Sequence, residues 1–294
     1  MTLLSIGDQI REGSYPLHSR FKRAVNFRNG SRLVSVVDEE VGSGPLNIVV
    51  SGLQQEDATP CASGLLVSQN VVAFGAQRLR FTDRQCYHSG IRLESKSSRH
   101  LRRNLSLFET LLTDISPPTS LAFLLDERRL AHFKSGFERA FVEQIANGVR
   151  HVFYGDLLLG IGLLKGCGVG LTPSGDDFIA GLLIGLHLLQ KLHGLDFRSA
   201  IEAMSKAAAG ENVFSNTFLE LAGKGLLFGR MNDLVSALMQ GDEETVRTSA
   251  ERLFAVGGTS GADLGMGFFM TVREESGAIQ HWGKRQNLEE AGVS

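Results

Sequence analysis

Short apolar runs set between turn residues mark the first hundred positions. Leu33–Val37, Leu46–Val50, Leu65–Val67 and Val71–Phe74 are three to five residues long, and Asn29-Gly30, Gly42–Pro45, Ser51-Gly52 and Ser89-Gly90 punctuate them. Runs of this length, rich in β-branched residues and bounded by turn formers, predict strands. Further along the period lengthens. Leu105–Leu112 reads as a helix stopped at Pro117-Pro118, because proline cannot continue a helical hydrogen-bond ladder. Leu130, Phe133, Phe137, Phe141 and Ile145 recur three or four apart, which predicts one apolar helical face used as core. Helices are likewise expected over Tyr154–Leu164, from Phe178 through an apolar run, and over Asp196–Ala209, Leu219–Phe228, Leu234–Met239 and Glu243–Val256. The expected fold is therefore α+β. An antiparallel β barrel or sandwich over residues 1–100 precedes a larger, mainly α-helical domain over 101–294. The basic joint Lys96–Arg103 separates them, and the polar end from Glu274 is expected to be loosely held.

The pattern breaks most sharply between Gly166 and Gly185, which reads GCGVGLTPSGDDFIAGLLIG. Gly166, Gly168 and Gly170 allow left-handed backbone and close approach of a ligand. Thr172-Pro173-Ser174 reads as a helix start, Asp176 and Asp177 fall in the first turn, and the helix behind them is apolar almost all round. A partial echo follows at Gly257–Gly267. Ser174 matches Ser260, Gly175 matches Gly261, Asp177 matches Asp263 and Gly181 matches Gly267, at a constant offset of 86 residues. Two loop-to-helix junctions facing one cleft are the central expectation. The same Ser-x-x-Asp spacing also fits a capping box, in which hydroxyl and acid satisfy the free N–H groups of their own helix.

Composition narrows the function classes. At 43% hydrophobic and 21% charged, with a net charge of −2, the chain is ordinary globular material without the broad basic field that nucleic acid or an anionic membrane requires. No signal peptide is read at the amino terminus, and the longest uncharged apolar run, Phe178–Leu189, is too short to cross a bilayer. Cys61, Cys86 and Cys167 are odd in number and scattered, giving neither a disulfide framework nor zinc spacing. The expected home is a reducing cytoplasm. Arg78, Arg80, Arg84 and Arg92 read as a solvated strand face, and His187 as a hydrogen-bonded core histidine.

No phosphate-binding Walker loop, dinucleotide fingerprint or nucleophile elbow occurs in the sequence. What remains is helix N-termini, hydroxyls and acids. A helix start offers unpaired N–H groups and a positive dipole end to an anionic oxygen. An aspartate beside it orients or deprotonates a nitrogen, or holds Mg²⁺. The layout suits acyl or carbamoyl transfer, where an oxyanion needs fixed donors, and equally a metal-assisted phosphoryl transfer. Asp176 and Asp177 are the candidate catalytic pair. Gly168, Gly170, Thr172, Ser174, Gly175, Asn212, Ser215, Ser260, Gly261 and Asp263 are the candidate substrate-binding residues. No dedicated metal site is expected, and Mg²⁺ on the acid pair is the alternative.

The string from Gly168 to Phe178, the Asn212-x-x-Ser215 segment and the Gly-Thr-Ser-Gly-x-Asp loop resemble a bacterial family, the AllH-type subunit of oxamate carbamoyltransferase. His18–Phe21, Asn26-Phe27 and Gly44-Pro45 extend the resemblance to the amino-terminal part. Ala262 is a mild departure, where the resemblance implies a bulkier residue. The resemblance implies a role in anaerobic allantoin and purine breakdown, interconverting oxalurate and phosphate with oxamate and carbamoyl phosphate. It implies work alongside FdrA-like and other subunits; on charge and hydropathy, no nucleic acid and no membrane are expected as partners. The rival readings are a Mg²⁺-dependent phosphotransferase and a non-catalytic assembly subunit.

Overall fold

A computed structural model describes residues 1–53, 64–93, 98–273 and 279. Cys61, the first part of the basic joint at Lys96, and the polar end from Glu274 lie outside the described residues, Ile279 apart. The chain divides into two compact units, Met1–Gly90 with Leu226–Asn232, and Ile91–Gly225 with Asp233–Ser294.

Among the described residues the first unit contains ten strands: β1 (Thr2–Gly7), β2 (Gly13–Tyr15), β3 (Leu17–Phe21), β4 (Ala24–Asn29), β5 (Arg32–Val37), β6 (Asn47–Ser51), β7 (Leu65–Ser68), β8 (Val71–Phe74), β9 (Gln77–Arg80) and β10 (Cys86–Tyr87). One sheet runs in the order β10-β1-β6-β5-β4-β3 and the other β2-β7-β8-β9. The wholly antiparallel expectation is corrected: β1 pairs with β10, and β5 with β6, in parallel. Among the described residues neither sheet closes into a barrel. Phe27, Val36, Ile48 and Val50 of the first sheet join Leu65, Val72 and Phe74 of the second in one buried apolar cluster, so alternate positions on each strand supply the core. Arg78, Arg80, Arg84 and Arg92 are exposed.

Leu226–Asn232 return to this unit. The Tyr87 hydroxyl donates to the Leu227 carbonyl at 2.9 Å, and the Leu227 N–H donates to Ser89 O at 2.8 Å. The Gly229 N–H donates to Ser43 O at 2.8 Å. The sequence pattern predicts one helix over Leu219–Phe228. The helix stops at Gly223, and Gly225 then turns the chain at φ +68° against the His187 ring, where a Cβ would sit 2.9 Å from its Cγ.

The second unit is helical: α1 (Ser98–Asp114), α2 (Gly136–Tyr154), α3 (Leu157–Leu164), α4 (Ser174–His193), α5 (Arg198–Ala208), α6 (Val213–Gly223), α7 (Gly229–Gln240), whose residues from Asp233 belong here, α8 (Glu243–Phe254) and α9 (Ser260–Arg273). The stripe Leu130–Ile145 does not lie on one helix. Glu127–His132 forms a 3-10 turn, and α2 starts afresh at Ser135, whose hydroxyl and the Glu138 carboxylate cap one another. Phe133 and Ile145 are buried as expected, while Phe137 is 70% exposed. Tyr154 ends α2, and Asp156 caps the separate α3 through the Leu159 N–H.

α4 is the centre of this unit, buried from Ser174 to Leu186 without interruption. Its sequence explains this: an almost continuous apolar run with glycines where neighbours come close. The His187 Nε2–H donates to the Gly223 carbonyl at 2.8 Å, because a carbonyl can only accept. Burial holds this imidazole below its usual pKa, so it is a neutral core residue. No described helix is long and apolar enough to cross a membrane.

Candidate functional site

α4 and α9 pack against one another more extensively than any other pair of elements, and glycines set the distance. A Cβ at Gly181 would stand 2.0 Å from the Leu264 carbonyl oxygen, and one at Gly267 would stand 2.0 Å from the Phe178 carbonyl oxygen. Phe178 and Leu264, like Gly181 and Gly267, are separated by 86 residues. The contact is therefore reciprocal. Gly185 meets Thr271, its own counterpart, with Cβ to Cβ at 2.7 Å for an alanine at 185. Each residue touching its counterpart or near-counterpart means that the two helices run side by side in the same direction. Both positive dipole ends consequently lie together.

The approaches to the two helices match as well. The Gly175 N–H donates to Cys167 O at 2.8 Å and the Cys167 N–H to Leu164 O at 2.9 Å. In the second copy Gly261 donates to Val256 O at 3.1 Å and Val256 to Leu253 O at 2.9 Å. A Cβ would fall 1.9 Å from Leu164 O at Gly175 and 1.8 Å from Leu253 O at Gly261. Only glycine fits either position. The second approach is three residues shorter. It lacks the stretch that carries Gly170 and the exposed Val169 and Leu171, and Ala262 stands at the counterpart of Asp176.

The polar groups exchange across this pair. Asp177 is hydrogen-bonded by the Thr172 hydroxyl, at 3.2 Å to Oδ2, and by the Ser260 hydroxyl of the other loop. Asp263 is hydrogen-bonded by Ser174, again from the other loop, and by Thr259. The Thr172 and Ser260 hydroxyls are themselves 3.3 Å apart. The self-contained capping box is thus not what these loops form. The residue before α4 is Pro173, which offers no side-chain cap. Each serine serves the opposite aspartate.

The two acids expected to act as a pair diverge. Asp176 accepts the Gly166 N–H at 2.7 Å and so closes the glycine loop on itself. Asp177 instead accepts the Thr172 hydroxyl and feels the charge of Asp263. Asp177, Asp176 and Asp263 are 1%, 4% and 0% exposed, so none of the three presents a carboxylate to bulk solvent. Ser174 is buried, and Thr172, Thr259 and Ser260 are half-buried. Gly168 and Gly170 take φ of +120° and +106°, the region that favours glycine. Burial, with the Asp263 charge next in weight, pushes the Asp177 carboxyl well above its usual range. Burial pushes Asp263 up to about 6 against the lowering effect of its hydrogen bonds. The Cys167 thiol is pushed up to about 11 by burial and then by Asp176, so it is protonated at neutral pH and a poor nucleophile. Among the described residues no three His, Cys, Asp or Glu side chains gather as metal ligands.

Asn212 lies at the edge of the first loop. Its side-chain oxygen accepts the Phe214 and Ser215 N–H groups as the cap of α6, and its amide donates to the Leu171 carbonyl at 2.7 Å. Ser215 is buried, and its hydroxyl has no partner among the described residues. One contributor was not foreseen: the backbone N–H of Leu121, which donates to Asp263 Oδ1 at 2.7 Å. Buried Arg129 holds the turn in front of it, donating to the Ser116 and Pro117 carbonyls. A backbone donor 142 residues away carries no side-chain signal, although Pro117-Pro118 marks the turn. A separate cavity of about 530 Å³, lined by Asp233, Gln240, Asp242, Thr245 and Arg252 among others, contains none of the expected site residues.

No curated protein and no solved structure matches this chain. Residues 164–272, which span the end of α3, both loops and nearly all of α9, match the family model described as oxamate carbamoyltransferase subunit AllH. The match supports, over that stretch, the AllH-type resemblance read from the sequence.

Proposed function

We propose that this protein is a subunit of an oxamate carbamoyltransferase and that the paired loops before α4 and α9 form its reactant-binding locus. The observation that carries the reading is the junction of Thr172 with Ser260 at the head of two parallel helices, inside the matched stretch. Two adjacent helix starts concentrate partial positive charge and backbone donors, the environment a phosphate or carboxylate oxygen seeks.

In this reading the N–H groups around Gly168 and Gly170 and the half-buried hydroxyls of Thr172 and Ser260 hold an anionic oxygen of carbamoyl phosphate, oxamate or oxalurate. Carbamoyl transfer passes through a tetrahedral centre whose oxyanion needs fixed donors. Asp177 and Asp263 are too buried to touch the reactant, so they act through the hydroxyls they bind. Asp176 acts by closing the glycine loop. FdrA-like and other subunits complete the assembly, and the exposed apolar tips Val169 and Leu171 suit a shielded contact there.

The test is a reconstituted complex carrying Thr172→Val or Ser260→Ala. Each variant is expected to lose at least about tenfold in transfer, equivalent to roughly 1.4 kcal/mol of transition-state binding, with a melting temperature within about 2 °C of wild type. Wild-type turnover in both variants would move the locus to another subunit and leave this chain a structural one.

A further inference from the structure

The four-stranded sheet of the first unit departs from the pattern of a sheet with one wet face. Its inward positions, Leu65, Val67, Val72, Phe74 and Leu79, are buried. An antiparallel sheet that meets water on its other side normally carries polar residues there. Here the outward positions of the two central strands include Leu66 of β7 and Val71 and Ala73 of β8, and Leu66 is 47% exposed. The register aligns the outward residues in two rows. Ser14, Leu66, Ala73 and Arg78 stand side by side across β2, β7, β8 and β9, and Ser68, Val71 and Arg80 form the neighbouring row. Each row has an exposed serine at one end, an apolar middle and an exposed arginine at the other end.

Arg78 and Arg80 are the only charged side chains of these four strands. Neither has an ion pair or a side-chain hydrogen bond among the described residues, whereas Arg23 of the same unit is held by Asp38 and Glu40. The two arginines lie two residues apart on one face, about 7 Å along the strand. An exposed apolar patch rimmed by polar groups marks a docking surface, and arginine is enriched in such surfaces.

We propose that this face docks an acidic amphipathic helix of another protein chain. Two of its carboxylates pair with Arg78 and Arg80, and its apolar stripe covers Leu66, Val71 and Ala73. Helices are a usual second layer on an open sheet face, and the small side chains of Ser14, Ser68 and Ala73 let one approach closely. Acids at i and i+4 of a helix are about 6 Å apart, close to the spacing of the two arginines. A guanidinium takes a carboxylate through two parallel N–H bonds, so each pair is directional as well as charged. Nucleic acid is the poorer fit. No aromatic ring stands at an outward position of these strands for a base to stack on, since Tyr15 and Phe74 are buried. The net charge of −2 supplies no wider basic field. The inference is independent of the carbamoyltransferase reading, because the face lies outside residues 164–272.

The test titrates the full-length chain with a fluorescent helical peptide of about 20 residues. The peptide carries glutamates at i and i+4 beside a leucine stripe, and a second peptide has glutamine at the same places. Anisotropy at low salt is expected to show the glutamate peptide bound at least about tenfold tighter, with the preference shrinking as salt screens the pairs. Arg78→Gln/Arg80→Gln is expected to abolish the preference at an unchanged melting temperature, because both side chains are exposed. Leu66→Ser is expected to weaken both peptides alike. Equal binding of the two peptides to the wild-type chain, or a preference that survives in the double variant, would overturn the proposal. A thymidine oligonucleotide bound more tightly than the glutamate peptide would also overturn it and make the face a nucleic-acid surface. Amide hydrogen exchange of the wild-type chain with the glutamate peptide locates the contact without any variant. Slower exchange is expected across β7, β8 and β9, and protection confined to other elements would refute the docking face.

Discussion

The two loop–helix junctions share a scaffold and differ in what they add to it. Both enter through a carbonyl that leaves room only for glycine, at Gly175 and Gly261. Both place an aspartate in the first turn, and both use a glycine two turns in to touch the partner helix. The first copy alone carries Asp176, and its approach alone has the longer Gly166–Leu171 segment. The shared parts are those that pack α4 on α9. Apart from the buried Asp176, the unshared parts lie at or near the surface, at Gly168 to Thr172. In a duplicated frame, a chemical asymmetry has to come from the copies' differences, so the first loop is where a reactant would be distinguished from solvent.

This comparison can be broken at its shared part first. Gly181→Val would push a side chain into the Leu264 carbonyl, and Gly267→Val would do the same to Phe178. Each should destabilise by about 3 kcal/mol or more, as overpacking against backbone does, and the two costs should agree within about 1 kcal/mol if the copies are equivalent. Urea unfolding measures both, and a tolerated valine at either position would end the claim of reciprocity. Asp176→Ala makes the first copy resemble the second. Losing the carboxylate that binds the Gly166 N–H should cost about 1–2 kcal/mol and loosen the glycine loop, read as faster amide exchange at Gly166–Gly170 with α9 unaffected. Equal exchange in both proteins would remove Asp176 from loop closure. The smallest effect is expected at the border, where Asn212→Ala removes the α6 cap and the donor to Leu171. About 1 kcal/mol is the usual cost of such a cap, and no measurable change would show that the cap is redundant.

Much of this was legible in the residues. The runs at Leu33–Val37 and Val71–Phe74 became β5 and β8, and the constant offset between the serine-glycine corners announced the duplication. What stayed hidden has physical causes. β3 has scarcely a buried residue, so it leaves no apolar period to read. The parallel pairing of β5 with β6 depends on a connection, not on strand composition. Phe137 looked like core because its spacing fits Phe133 and Phe141, but a Ser135 cap restarted the helix and turned it to solvent. The crossing of serines and aspartates was invisible for a related reason. Ser-x-x-Asp fits a local capping box equally well, and only the parallel packing of α4 on α9, set by Gly181 and Gly267, makes the distant partner the nearer one.

The return of Leu226–Asn232 to the strand unit has a practical corollary. Neither half can be excised as one uninterrupted polypeptide. A fragment ending near residue 90 would lose the peptide groups of Leu227 and Gly229 that satisfy Tyr87, Ser89 and Ser43, and a fragment starting there would carry a seven-residue guest without its host. A protease nick within that short segment should therefore undermine the stability of the sheets that lie more than a hundred residues upstream of the cut.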